Sequence, residues 1–374
     1  MTKSKVALVR CESYDEEAVF AAVKKGVDLI GGLDGIVKEG EKVLLKPNNL
    51  ATSKPDDAVT THPSVFNAAC RLFTEAGLAV SYGDSPGFEK PGPSLAKSGF
   101  ASVAEKYRIP LADFEKGKTI DFPGGKVWKQ FDIANACLDA DAIVSLPKMK
   151  THALARVTGA VKNQFGCIYG LNKAAFHVKI PNPVQFSRML VDINLFLKPR
   201  LFIMDGIFAM EGNGPRGGTP VQMNCILVSR DPIALDSTFC RIIGLDPSFI
   251  PTNTYGKDAG LGTWLEEEIE IVGSPIAAFF SPDFNVVRKP LDNKIKKTNG
   301  FIANLFFPKP VIEKDKCIKC GICVDSCPVE GKALAFKNGS KKEAPVYDYK
   351  KCIRCFCCQE MCPHKAIVVK KTFK

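Results

Sequence analysis

Eight cysteines close to the C-terminal end are the residues of this chain whose spacing dictates a chemistry. Cys317, Cys320, Cys323 and Cys327 are followed by Pro328, and Cys352, Cys355, Cys358 and Cys362 by Pro363. Each run reads C-x-x-C-x-x-C-x-x-x-C-P. Two-residue gaps let one tight loop hold three thiolates around one corner of an iron–sulfur cubane, and the fourth cysteine leaves the loop to ligate the other cluster. The spacing therefore predicts two 4Fe–4S clusters. One falls on Cys317, Cys320, Cys323 and Cys362, the other on Cys352, Cys355, Cys358 and Cys327. Disulfides would need an oxidising compartment, and the opening residues do not read as a secretory signal. A zinc site shows two C-x-x-C pairs rather than two matched runs of four. Cys357, beside Cys358, is read as a spare buried thiol.

These runs resemble the two-cluster bacterial ferredoxins over residues 313–374. The resemblance implies a small α+β domain carrying both clusters. It leaves most of the 374 residues to something else. At roughly 100–200 residues per domain, a second domain is expected.

Composition narrows the class. Hydrophobic residues make up 45% and charged residues 24%, as in globular proteins of ordinary solubility. No apolar run approaches the ~20 residues that span a bilayer, so stable membrane insertion is not expected. Six further cysteines (Cys11, Cys70, Cys137, Cys167, Cys225, Cys240) are scattered without ligand spacing. Reduced thiols beside clusters point to a reducing cytoplasm, as in an anaerobe. The net charge of +11 is uneven: residues 301–374 hold 15 Lys and Arg against 7 Asp and Glu. Part of that excess offsets the negative clusters, and the rest suits an acidic electron carrier as redox partner. No nucleic-acid module or basic run with interleaved aromatics is present.

The elements that must position any further chemistry alternate between strand and helix. Strand-like runs fall at Lys5–Arg10, Lys42–Lys46, Leu78–Tyr82, Ala142–Leu146, Leu201–Met204, Cys225–Val228 and 268–272. Helical spacing falls at Asp15 to Leu33, Pro63–Gly77, Ser94–Tyr107, Leu154 to Phe165, Pro183–Leu197 and Pro232–Gly244, the last opened by Asp231 as N-cap. This order predicts an α/β domain over residues 1–274, a mainly parallel sheet covered by helices. A linker over 275–312 and the cluster domain over 313–374 follow. The linker holds a basic patch at Lys294–Lys297, and its Phe301, Phe306 and Phe307 are expected to pack on the main domain.

In open α/β sheets, ligands bind beyond the carboxyl ends of the strands. Four polar stretches lie there: Lys46–Leu50 with His62 after it, Gly83–Gly87, Pro147–His152 running into Gly159–Gly166, and Asp205-Gly206 followed by Glu211–Gly218. The motifs Lys46-Pro47-Asn48, Pro147-Lys148-Met149-Lys150-Thr151-His152, Lys162-Asn163, Gly212-Asn213-Gly214-Pro215 and Asp231-Pro232-Ile233-Ala234-Leu235-Asp236 resemble the domain-of-unknown-function family 362 over most of residues 5–245. That resemblance implies an architecture, alone or joined to an iron–sulfur module, and names no reaction.

The residue types suggest one. Lys46, Lys148, Lys150, Lys162 and Arg216 are cations suited to a small anionic substrate such as a carboxylate or phosphate. Lys148, Lys162, His152 and Asp205 are the candidate catalytic residues. Lys46, Asn48, Lys150, Asn163, Gly212, Gly214 and Arg216 are the candidate substrate-binding residues. Asp84, Asp205 and Asp236 are candidates for a divalent cation or a base, with a salt bridge as the plain reading of Asp236. Gly212, Gly214 and Gly217 match a dinucleotide fingerprint formally, but no helix follows them. The combination reads as an iron–sulfur oxidoreductase; a dedicated electron carrier or a cofactor maturation factor fits the same residues.

Overall fold

The computed structural model describes residues 3–170, 172–291 and 307–370. Most of the chain builds one nine-stranded mixed sheet. Its strands are β1 (Ser4–Arg10), β2 (Lys42–Pro47), β3 (Ala79–Tyr82), β6 (Ala142–Leu146), β7 (Lys148–His152), β8 (Arg156–Thr158), β9 (Leu201–Glu211), β10 (Thr219–Ser229) and β11 (Ile269–Gly273). The main path runs β11-β1-β10-β9-β6-β2-β3, with β7 on β9 and β8 on β7. β4 (Gly117–Asp121) and β5 (Gln130–Ala134) form a separate hairpin.

β2 shows why the apolar runs become central strands. Val43 and Leu45 enter the core on one face and Leu44 the core on the other, all fully buried. A strand covered on both faces needs an unbroken apolar run. The first face is closed by α1 (Glu16–Leu29) and α2 (Pro63–Glu75), through Val19, Val23, Phe66 and Phe73. The second is closed by α8 (Pro183–Leu197), through Phe186 and Met189, and by α9 (Pro232–Ile242), through Leu235 and Phe239. Asp231 caps α9, its carboxylate accepting from the N–H groups of Ile233 and Ala234.

Three expectations are corrected. The helix expected over Ser94–Tyr107 is two helices, α3 (Pro91–Lys97) and α4 (Phe100–Lys106), because Gly99 turns the chain at φ 87°. The helix expected from Leu154 begins only at α6 (Ala160–Asn163), since Arg156–Thr158 first folds back on β7 as β8. Leu201–Met204 does not stop at Asp205: β9 continues through eleven residues, held by β10 on one side and β7 on the other. Further helices are α5 (Asn135–Leu138), α7 (Asn172–Lys179) and α10 (Pro251–Asp258).

The C-terminal part is small. β12 (Lys309–Ile312) pairs antiparallel with β15 (Ile367–Lys370), and β13 (Leu334–Ala335) with β14 (Val346–Tyr347). Short helices at Ile322–Asp325 and Cys357–Met361 follow the cysteine loops. Phe307 is half-buried; Phe301, Phe306 and the Lys294–Lys297 patch lie outside the described residues.

Candidate functional site

The eight patterned cysteines stand around two hollows. Cys317, Cys320, Cys323 and Cys362 line one, and Cys327, Cys352, Cys355 and Cys358 the other. All are free thiols, as is Cys357. The N–H of Ala333 donates to Cys327 Sγ and that of Ala366 to Cys362 Sγ, each at 3.3 Å. Such donors stabilise sulfur as thiolate. Four sulfurs around a hollow, with backbone N–H groups turned towards them, fit a 4Fe–4S group.

A third cavity lies where the two parts of the chain meet, with about 80 Å³ open to water-sized occupants. The α/β side supplies Asn48, Asp84, Ser85, Lys162, Asn163, Lys173 and His177, and the C-terminal side supplies Cys357, Glu360 and Met361. Strand ends place the first group. Asn48 follows β2, Asp84 follows β3, Lys162 and Asn163 sit on α6, and Lys173 and His177 lie four residues apart on α7.

The cations here differ in what holds them. Lys46 Nζ is fully buried, 2.8 Å from Asp84 Oδ1. Gly166 permits that approach, because a Cβ there would stand 2.0 Å from the same oxygen. Lys150 Nζ donates to Asn48 Oδ1 at 2.7 Å, and burial holds its pKa well below the ordinary lysine value. Lys173 Nζ donates to Ser85 Oγ and to the Ile168 carbonyl; burial pushes its pKa down to about 7. Lys162 faces the cavity with no hydrogen-bond or ion-pair partner among the described residues, its Nζ 5.9 Å from the centre of the Phe165 ring. A cation already paired has little left for a ligand, so Lys162 is the group best placed to meet an anion.

Glu360 enters this cavity from the helix between Cys358 and Cys362. Its Oε1 is 3.1 Å from His152 Nε2, a close polar contact without a directed hydrogen bond among the described residues. His152 Nδ1 accepts from the N–H groups of Leu154 and Ala155, which leaves its proton on Nε2, facing the carboxylate. Burial holds His152 down to about 4, hence neutral at pH 7. Burial opposes the Glu360 charge, but His152, Lys162 and His177 outweigh it and bring the pKa to about 2. His177 stacks on Phe186 at 4.9 Å, and its Nδ1 is buried without a hydrogen-bond partner among the described residues.

Lys148 and Asp205 stand apart from the cavity. They face each other across β7 and β9, Nζ to Oδ2 2.7 Å, wholly buried. The Tyr14 hydroxyl donates to Asp205 Oδ1 at 3.0 Å and accepts from Lys148 Nζ at 2.8 Å. The His62 N–H donates to Asp205 Oδ2 at 2.9 Å, and its ring stacks on Tyr14 at 3.5 Å. Burying two charges costs several kcal/mol per ion unless further hydrogen bonds satisfy them, and Tyr14 and His62 supply those bonds.

Other expectations move. Gly212, Gly214 and Arg216 lie in the turn between β9 and β10, off the cavity: Gly212 meets Asn285, and Gly214 and Arg216 meet the C-terminal part. Gln359 Nε2 donates to the carbonyls of Asn213 and Gly214, and Arg216 donates to those of Met361 and Thr52. Asp236 makes no salt bridge among the described residues: its carboxylate caps α6, accepting from the N–H groups of Ala160 and Val161 at 2.6 and 3.1 Å. Sequence reasoning does not single out Tyr14, Ser85, Lys173 or Glu360. Ser85 lies within a flagged strand-end loop; Glu360 lies inside the cysteine pattern, where the ligands take all the attention.

The model of the domain of unknown function DUF362 matches residues 43–241. A thylakoid-associated protein of Synechocystis sp. is 35% identical over 262 residues, covering 70% of this chain and 81% of its own length. The chain belongs to the DUF362 family. A 4Fe-4S dicluster domain matches residues 309–363 as well, so this DUF362 member is an iron–sulfur protein. Among solved structures, the lactate racemase apoprotein of Thermoanaerobacterium thermosaccharolyticum aligns at 12% identity and TM-score 0.43, over 65% of this chain and 57% of that one. A structural-genomics target from Thermotoga maritima aligns at 15% identity and TM-score 0.37, over 68% and 60%. The DUF362 chain thus spans less than two thirds of either structure. No helix among the described residues is long and apolar enough to cross a membrane.

Proposed function

We propose that this protein is an oxidoreductase that moves electrons between two 4Fe–4S clusters and a small anionic molecule held in the cavity between its two parts. The ligands are Cys317, Cys320, Cys323 and Cys362 for one cluster, and Cys352, Cys355, Cys358 and Cys327 for the other. The observation that carries the reading is the shared wall: Cys357, Glu360 and Met361 line the cavity from the helix that also bears Cys358.

When bound, the clusters supply or accept single electrons. The chain's own residues do the rest. Lys162 attracts the anion, and Asn48 and Asn163, bonded to each other at 3.1 Å, shape the floor. Lys173, with its pKa near 7, takes up or releases a proton at Nζ close to neutral pH. The Cys357–Met361 helix closes the cavity against water, and His152 fixes Glu360 in that wall.

The test is an absorption spectrum of protein purified without oxygen, before and after dithionite, with the extracted small molecules identified. The expected result is a broad band that bleaches, and an anionic molecule that is retained by the wild type and lost from Lys162→Ala with the band intact. A bleaching band with an empty wild-type extract would favour a dedicated electron carrier. No bleachable band would overturn the cluster assignment.

A further inference from the structure

The two cysteine runs fold into loops of one backbone shape. Lys319 and Arg354, at matching positions, have φ of 62° and 57°; Gly321 and Phe356, also matching, have 91° and 64°. Their surroundings differ. In the second loop Cys355, Phe356 and Cys357 are buried, and Phe356 belongs to the same core as Phe165 and Phe186. In the first loop Lys319 and Cys320 are exposed, Ile318 keeps 58% of its surface in solvent, and Ile322 keeps 38%. The position matching Ile322 is the buried Cys357, and that matching Ile318 is the half-buried Ile353.

A single exposed isoleucine needs no explanation. Two on one loop do, when the sister loop hides its equivalents. Exposed Lys314 and Lys319 flank them, and Lys341 Nζ stands 3.5 Å from where a Cβ on Gly321 would lie. The acids nearby are few: Glu313 already pairs with Lys316 and Lys370, which leaves Asp315 and Asp325. An apolar centre with a cationic rim matches a partner with an apolar centre and an acidic rim.

We propose that the Cys317–Ile322 loop is the docking surface for an acidic one-electron carrier protein, so that electrons cross between the carrier and the first quartet, then the second quartet, then the cavity. The inference rests on the cluster assignment above. In each crossing the carrier is oxidised by one electron and the first cluster reduced by one.

The test uses the full chain with its clusters and needs no substrate, so its outcome is independent of the cavity's chemistry. Bleaching is timed on mixing with the hydroquinone of an acidic flavodoxin, and separately with the methyl viologen radical cation. Ile318→Asp and Lys319→Glu should each slow the flavodoxin reaction by about tenfold or more and weaken its salt dependence, with the viologen rate not lowered. Lys351→Glu, beside Cys352, should leave both rates as they are. Lys341→Glu, outside the ligand loop, repeats the test should a loop variant disturb its cluster. Unchanged flavodoxin rates in the Ile318, Lys319 and Lys341 variants would overturn the proposal, as would a fall confined to Lys351→Glu.

Discussion

Glu360 Oε1 stands 3.1 Å from His152 Nε2, so a residue between two cluster cysteines is held by a residue at the edge of the main sheet. Glu360→Gln keeps the shape and removes the charge that faces His152, Lys162 and His177. The variant should lose about 1–3 kcal/mol, as for a buried group deprived of its partner. Chemical denaturation followed separately by cluster absorbance and by far-ultraviolet dichroism would check it. Unaltered midpoints would mean that the contact does not hold the two parts together.

The Lys148–Asp205 pair gives a different expectation. Lys148→Met leaves Asp205 buried and charged, with Tyr14, His62 and the Ile207 N–H as its remaining donors. Removing one partner of a buried pair costs about 3–5 kcal/mol. The loss should show as a lower thermal midpoint, while cluster absorbance per folded molecule stays constant. Loss of ligand retention without loss of stability would instead place Lys148 in the chemistry.

Asp236 should make stability depend on pH. Burial is the largest influence on its carboxyl and raises its pKa to about 7, against an ordinary value near 4 in the unfolded chain. A raised pKa means that the folded state binds the extra proton. The contribution is therefore full below about pH 4 and is lost as pH rises through 7. Asp236→Asn should flatten that part of the stability curve; a slope identical to wild type between pH 4 and 7 would contradict it.

The crossed ligation is separable by iron analysis and electron paramagnetic resonance. Cys327→Ala should perturb the cluster of Cys352, Cys355 and Cys358, and Cys362→Ala the other. Cys357→Ala should change neither signal. The reverse pattern would mean that each run closes its own cluster.

Parts of this molecule are plain in its sequence. Val43, Leu44 and Leu45 announce a strand because both faces of a central strand are buried. The cysteine spacing announces a cluster domain because one loop must wrap one corner. What the sequence hides are contacts made by folding. Glu360 meets His152 only because the second cysteine loop docks on the sheet edge. Asp205 looks like a strand-end residue because Gly206 follows it, yet pairing on both sides carries β9 through. Lys173 lies in α7, whose short run shows no periodicity strong enough to mark a face.

Cys362 has a second consequence. It comes directly after Met361, the last residue of the helix that walls the cavity, yet it belongs to the quartet of the open loop. With the proposed ligation, oxygen reaching exposed Cys320 would strike the outer cluster first. Its loss would release Cys362, slacken the end of that helix and let Glu360 drift from His152. On the proposed function, the chain would then drop the molecule held in its cavity before the inner cluster could reduce anything stray. Damage at the surface would act as a fuse, breaking the circuit at the cavity.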